Sequence, residues 1–390
     1  MSDDLDSAST SQRSAAVREH EGIGRGQLIV GSLVFLLLTV GVFWYQFYRI
    51  QTHDEALRLE QLQWGYLSLI LFFLPFDTFA CALRIWVVSR VLQPGIGLWT
   101  CLKAEWANVG IAMLTPSNSG GGFGQVYMLN RGGASVGTAM SISLITFLGS
   151  IVALLCIGLY SILFSGIYHI GYFFYGAIWL FTLVSGTMIL GAACPGFFRV
   201  GVSLISRTFW RMFGKEDRLE DWWPPGQVRT GPPLDRMGRL ACWLVDIAYI
   251  YMEDARRFVR VGRTNFALVC LLSLTFILSR SLMGFLCLRF LGIKTSTLVH
   301  VLELQSALIF LIYFAPTPGS SGLAETASLS IMAPILPIGF APYFNLLWRF
   351  STLYLAAFVG LLFLMRAAVQ DAHKLVSRRR SIETSEESGK

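Results

Sequence analysis

Long uncharged runs dominate the pattern of apolar and polar positions. Residues 26–48 hold no Asp, Glu, Lys or Arg across 23 positions, and residues 132–198 hold none across 67. Two more such runs, 304–324 and 326–348, are split only by Glu325. About 30 Å of hydrocarbon is crossed by roughly 20 residues rising 1.5 Å each. The longest run therefore predicts two spans, broken near Ser165-Gly166. The predicted spans are 27–47, 65–83, 137–164, 171–194, 265–291 and 343–365. Two further apolar pairs, 97–115 with 123–136 and 297–315 with 323–338, are each joined by a short Pro/Gly/Ser-rich turn. The expected fold class is an all-α polytopic integral membrane protein.

Composition agrees: 54% of residues are apolar and 14% charged, roughly half the charge of soluble domains. The seven cysteines, Cys81, Cys101, Cys156, Cys194, Cys242, Cys270 and Cys287, form no CxxC pair and sit mostly in apolar runs. There they act as small hydrophobes. The net charge of +7 does not predict a nucleic-acid partner, because the Lys and Arg lie in the polar segments flanking the spans. Segment 195–264 carries 12 of them and the tail after 365 six, against two in 48–64 and none in 165–170. Cytoplasmic loops carry the excess, so the long loop and both termini are expected in the cytoplasm.

The expected organisation runs in five parts: a disordered tail 1–26, a membrane half 27–194, a basic cytoplasmic loop 195–264, a second repeat 265–365 and a cytoplasmic tail 366–390. The apolar run after residue 26 is too long for a signal-peptide core and lacks a convincing cleavage site. The loop contains a linker, Asp221-Trp222-Trp223-Pro224-Pro225 and Thr230-Gly231-Pro232-Pro233. Residues 236–260 follow with helical spacing of Trp243, Ile247, Ile250 and Phe258. Two readings stay open for that stretch: a surface helix on anionic lipid, or an ordinary loop that sets topology.

The two turn regions match at an offset of 200. Pro116-Ser117-Asn118-Ser119-Gly120-Gly121-Gly122-Phe123-Gly124-Gln125 stands against Pro316-Thr317-Pro318-Gly319-Ser320-Ser321-Gly322-Leu323-Ala324-Glu325. Pro116 pairs with Pro316, Gly122 with Gly322 and Gln125 with Glu325. Span–hairpin–span thus occurs twice, at 65–164 and 265–365, and the span count starts the copies on opposite sides. Inverted repeats with broken helices are a transporter signature. Irregular backbone at membrane depth is tolerated only inside protein or beside water, and helix N-termini after Gly-rich turns suit anions. The plainer reading is two extramembrane loops.

These segments, with Ala82-Leu83-Arg84-Ile85-Trp86, Asn108 and Arg349-Phe350-Ser351-Thr352-Leu353-Tyr354, resemble the lysylphosphatidylglycerol synthase transmembrane family over residues 30–365. The resemblance implies a flippase-like membrane domain that moves charged lipids or lipid-linked sugars between leaflets. Where that family often has an arginine in the span after the first turn, this chain has Gly149, opposite Arg349. A 25-residue polar tail follows the last span. The soluble aminoacyl-transferase domain of bifunctional members is therefore not expected, nor is synthesis of lysyl-lipid.

Ionisable groups at bilayer depth normally face partners or water. The candidates are Asp77, Glu105, Arg280, Glu303, Glu325 and Arg349. Arg84, Arg131 and Arg289 are read as snorkelling to the interface. Glu325 and Arg349 either flank a headgroup cavity, meeting a cation and a phosphate, or form a fixed pair locking the second hairpin. Asp77 has Arg84 two turns on as a partner. Glu105, with Lys103 nearby, is read either in a wet region or in the site. The expected headgroup cavity comprises Glu325, Arg349, Arg280, Gln125, Asn108 and Glu105. Pro116, Gly120, Gly122, Pro316, Gly319 and Gly322 form its turns. His300 has only Glu303 within helical reach and His169 stands alone, so no metal site is expected. GxSxG, HExxH and Walker A motifs are missing, so neither a cofactor nor catalysis is expected. Three functions stay open: a lipid translocase, a partner subunit of a separate glycosyl- or aminoacyl-transferase, and a membrane enzyme acting on a lipid phosphate. A cell (inner) membrane location follows from the resemblance. The oligomeric state is not set by the sequence.

Overall fold

The structure, a computed structural model, describes residues 59–115, 118, 120–164, 250–258, 260–261, 263–294, 296–313, 315 and 317–388, with scattered positions in 33–48 and 176–190. The tail 1–26, most of spans 27–47 and 171–194, the loop as far as residue 249, and Pro116 and Pro316 lie outside the described residues.

Every regular element among the described residues is helical. Helix α1 covers Trp64–Leu92, α2 Leu98–Leu114, α3 Gly121–Arg131 and α4 Val136–Phe164. Helix α5 covers Arg263–Phe290, α6 Leu298–Ile312, α7 Leu323–Ile331 and α8 Ala341–Arg349. A π-helical turn, Phe350–Tyr354, joins α8 to α9, Leu355–Ser388. Four stretches are long and apolar enough to cross a bilayer: Trp64–Leu92, Val136–Tyr160, Thr264–Phe290 and Ile338–Lys374. The chain is an all-α polytopic membrane protein. Large apolar side chains such as Leu71, Phe72, Phe79, Leu271 and Phe358 stand exposed on the outer faces of these helices, as hydrocarbon requires and water would not.

The helix starts recur at close to the 200-residue offset: Trp64 and Arg263, Leu98 and Leu298, Gly121 and Leu323. Helices α1 and α5 lie side by side. Asp77 meets Arg280, whereas Arg84, farther along α1, meets Ser273, farther back along α5. The two helices therefore run antiparallel.

The pairs α2–α3 and α6–α7 are helical hairpins. Their turns meet each other: the Asn118 amide donates to Ser320 Oγ at 3.3 Å. Gly322 opens α7 at φ 85, a conformation that favours glycine. Two apolar cores flank this meeting point. One gathers Leu154, Ile277, Leu308, Met332 and Phe344 from α4 to α8. The other gathers Ile85, Cys101, Leu129, Ile142, Phe258 and Ala367.

The helical residues 250–258 belong to the second core. Tyr251, Ala255 and Phe258 are buried in it, and Ile250 presses on Gly137 of α4. That apolar face, including Phe258, is turned to the protein, so it is not open to a lipid surface; Trp243 and Ile247 lie outside the described residues. Burial lifts the Asp254 carboxyl above its ordinary range, opposed by the Ser141 hydroxyl. Helix α2 lies directly on α9. A Cβ at Gly360 would collide with the Trp106 carbonyl, and one at Gly110 would touch Ala357 O at 3.2 Å. Small residues allow this close approach of two membrane helices.

Candidate functional site

The two hairpin turns and the α1–α5 pair enclose a cavity of about 530 Å³. Asn118 and Gly122 line it from the first turn, Gly319 and Ser320 from the second. Helix α1 contributes Arg84, α2 Glu105 and Asn108, α3 Gln125, α5 Arg280 and α8 Arg349. Five of the six sequence-based headgroup residues thus share one cavity. The sixth, Glu325, does not line it and reaches it only through Arg349.

The second hairpin is closed by that pair. Arg349 Nε donates to Glu325 Oε1 at 3.0 Å, with side-chain exposures of 5% and 1%. Glu325 Oε2 accepts the Gly322 N–H at 2.7 Å, the return arm of a capping box. Arg349 Nη2 donates to Ser320 O at 3.0 Å. Geometry therefore favours the fixed pair over the reading in which Glu325 meets a cationic substrate group: both of its oxygens are already engaged. The π turn begins immediately after Arg349; such insertions often accompany functional sites.

The first hairpin is different. Gln125 occupies the place of Glu325, and its Oε1 accepts from Ser143 Oγ at 3.1 Å. Its Nε2 has no partner among the described residues. Glu105 is 5% exposed and its Oε2 has no partner among the described residues, so it does not sit in the wet region that Lys103 suggested. Gly120 and Gly124 press on Thr115 and Ala107 of the α2 arm, whereas a Cβ at Gly122 would meet only Ser143 Oγ at 3.5 Å. Gly122 keeps the cavity wall thin.

Two guanidiniums lie over the Phe276 ring, Arg280 at 4.3 Å and Arg84 at 5.9 Å from its centroid. Arg280 Nε lies 3.5 Å from Asp77 Oδ2, and Ser279 Oγ donates to Asp77 Oδ1 at 2.9 Å. The partner of Asp77 is thus Arg280 and not Arg84, because the antiparallel neighbour brings Arg280 to its level. Arg84 does not snorkel. It is 7% exposed, donates to Ser150 Oγ and Ser273 Oγ, and leaves Nε without a partner among the described residues.

Arg131 and Arg289 are also tied down. Arg131 bonds Asp371 at 3.3 Å and Gln370 at 3.0 Å on α9. Arg289 donates to the carbonyls of Ile293 and Ser296. His300 and Glu303 stand 3.7 Å apart, and among the described residues no three metal-ligating side chains come together.

Sequence reasoning missed Arg84, Asn118 and Ser143 as lining residues. The repeat held a signal for Arg84: its counterpart is Gly284, where a Cβ would strike the Gln305 side chain at 2.6 Å. A charge in one copy where the other admits no side chain marks a departure from shared packing. Gly149 shows the converse. A Cβ there would meet Val269 Cγ1 at 2.7 Å, which leaves no space for a counterpart of Arg349.

No curated protein and no solved structure matches the chain. A family profile described as Lysylphosphatidylglycerol synthase TM region matches residues 28–360. That match takes in all four apolar stretches' cavity-lining residues and both hairpins. The chain belongs to the lysylphosphatidylglycerol synthase transmembrane-region family, membrane proteins related to lipid biosynthesis or translocation.

Proposed function

We propose that the chain is a lipid translocase that passes the phosphate-bearing headgroup of a phospholipid or lipid-linked sugar between leaflets. One observation carries this reading. Arg84, Glu105 and Gln125 are each more than nine-tenths buried, each leaves a polar atom without a partner among the described residues, and all three line one cavity. An unmade buried hydrogen bond costs about 1–3 kcal/mol. Three at one place have no stabilising purpose and fit a polar ligand that supplies the missing partners. Arg84 is the phosphate group's first partner, since its planar fork suits phosphate oxygens and only two hydroxyls occupy it. Arg280 and Arg349, each already paired with a carboxylate, shape the field around it.

The reading treats the two copies as inverted repeats. The recurring helix starts, the antiparallel α1 and α5, and the meeting of the two turns support this, and broken-helix sites in transporters take that form. It assigns no catalysis and no cofactor to the chain. It places loop 195–264 and both termini in the cytoplasm of a cell (inner) membrane. An impermeant reagent outside intact cells is then expected to leave Arg229→Cys unlabelled.

The test is a leaflet-resolved lipid assay in proteoliposomes holding the purified chain alone. Wild-type protein is expected to move a phosphate-bearing lipid. Arg84→Ala is expected to slow it roughly ten- to a hundredfold, the worth of one charge-assisted hydrogen bond. Arg84→Lys is expected not to restore it. If the chain alone moves no lipid and activity appears only with an added glycosyl- or aminoacyl-transferase, the chain is a partner subunit. If it converts the lipid, it is an enzyme.

A further inference from the structure

We infer that Glu105 is a proton-binding site that couples translocation to a pH gradient, taking up one proton as the headgroup phosphate binds Arg84. This rests on the translocase reading above.

The observations lie in the contrast between the two hairpins. Each carries one glutamate and one glutamine at matching positions, but exchanged: Glu105 and Gln125 in the first, Gln305 and Glu325 in the second. Both oxygens of Glu325 are engaged, one by Arg349 and the other by the Gly322 N–H. Glu105 has no such lock. It lines the cavity, it is 5% exposed, and its Oε2 accepts from no donor. A second, independent observation is the unpartnered Nε2 of Gln125 in the same cavity. The first hairpin is therefore left incomplete on both of its long polar side chains.

The groups facing Glu105 decide what it can bind. From α1 they are Arg84, Asp77 and Cys81, from α5 Arg280, and just past the end of α6 Tyr313. Asn108 is its polar neighbour on α2, and Gln125 and Arg349 share the cavity from α3 and α8. Two guanidiniums beside it repel a metal cation. The one acidic neighbour, Asp77, is already held by Arg280, and among the described residues no three metal-ligating side chains come together, whereas a hard metal ion wants several oxygens. A proton needs one oxygen, and Oε2 is free.

The coupling follows from charge. Ionised Glu105 partly neutralises Arg84 and repels a phosphate. When a proton binds Oε2, an O–H bond forms and the carboxylate becomes neutral. The Arg84 charge is then left to the phosphate. The reverse holds equally, since coupling between two bound ligands is reciprocal: a phosphate on Arg84 raises the affinity of Glu105 for its proton. Proton and anion thus enter and leave together.

The experiment uses the purified full chain in proteoliposomes loaded with a fluorescent phosphatidic acid probe, with a pH gradient imposed across the bilayer. Two readouts are taken: the leaflet ratio of the probe, and the carboxylic C=O band in pH-difference infrared spectra. Wild-type protein is expected to drive the probe from the acidic side, towards a leaflet ratio of about ten per imposed pH unit, the limit for one proton per lipid. Glu105→Gln is expected to lose both the gradient-driven ratio and one C=O band. Glu105→Asp, which keeps a carboxyl at the site, is expected to retain the band. Gradient-driven accumulation by Glu105→Gln, an unchanged band in that variant, or driving by a sodium gradient at fixed pH would overturn the inference. If wild-type protein moves no lipid but the band titrates and is lost in Glu105→Gln, the proton site stands and the translocase reading fails.

Discussion

The two hairpins have the same overall length, turns matched at an offset of 200 and the same pair of long polar side chains, yet one is finished and the other is not. In α6–α7 the charged member, Glu325, sits beside the turn, where Gly322 and Arg349 can satisfy it. In α2–α3 the charged member, Glu105, sits on the entering helix, and the place beside the turn goes to Gln125 with only Ser143 as a partner. The arginine differs accordingly. Arg349 stands within reach of a carboxylate and one backbone carbonyl, whereas Arg84 stands in the opposite copy with two serine hydroxyls. Moving a single charge along a shared scaffold converts a scaffold into a site. The second hairpin supplies rigidity and the first supplies unmet hydrogen-bonding capacity.

Breaking the lock should produce the largest effect. Glu325→Ala or Arg349→Ala leaves one buried charge alone, a loss on the order of 3–5 kcal/mol, read as a lower thermal midpoint of the purified protein in detergent. Glu325→Gln is expected to lose less, because an amide oxygen can still accept the Gly322 N–H. Exchanging the two charges, Glu325→Arg with Arg349→Glu, is expected not to restore stability. An arginine at 325 has no acceptor for that N–H, and a glutamate at 349 cannot donate to Ser320 O. Recovery of the wild-type midpoint by the exchanged protein would show that the lock is charge alone and that the turn bonds are incidental.

The next effect lies where the first hairpin leans on α9. Gly360→Val is expected to force α2 and α9 apart at the Trp106 carbonyl, with an overpacking cost of about 1–3 kcal/mol. The same change in midpoint with an undisturbed second hairpin, judged by protease resistance around Gly322, would confirm that the two hairpins are stabilised separately. The smallest effect is expected at Ser143→Ala. It removes the only hydrogen bond of the Gln125 side chain among the described residues and should cost about 1 kcal/mol. A loss as large as that of Arg349→Ala would abolish the contrast drawn between the two copies.

Much of this architecture can be read from the chain. Uncharged runs give the spans because hydrocarbon admits few charges, and the 200-residue offset gives the two hairpins because their turn residues repeat. Of the five expected residues that line the cavity, Glu105, Arg280 and Arg349 follow from the cost of charge at depth, Gln125 from the 200-residue offset and Asn108 from the family resemblance. What cannot be read is the pairing. Asp77 and Arg84 are two helical turns apart and look like partners, but an antiparallel neighbour distant in sequence places Arg280 closer. Arg84 and Arg131 look like interfacial cations because they lie near the ends of their apolar runs. Tertiary neighbours, Ser150 and Ser273 for one and Asp371 for the other, hold them instead. Glu325 is legible as important and not as walled off, since the capping bond that engages its second oxygen depends on Gly322 adopting φ 85.

Helix α9 gives the molecule a lever. It starts at the cavity wall, just past Arg349, and its 34 residues make a rod of about 50 Å. Partway along that rod, Asp371 accepts the Tyr127 hydroxyl at 2.6 Å and bonds Arg131 at 3.3 Å, so it grips the far end of the first hairpin. One stiff piece therefore holds the finished hairpin at its root and the unfinished hairpin at its foot. The hydrogen-bond ladder changes register at Phe350–Tyr354, between that grip and Arg349, so a displacement of the first hairpin would be carried along one continuous helix to the residues that close the second turn.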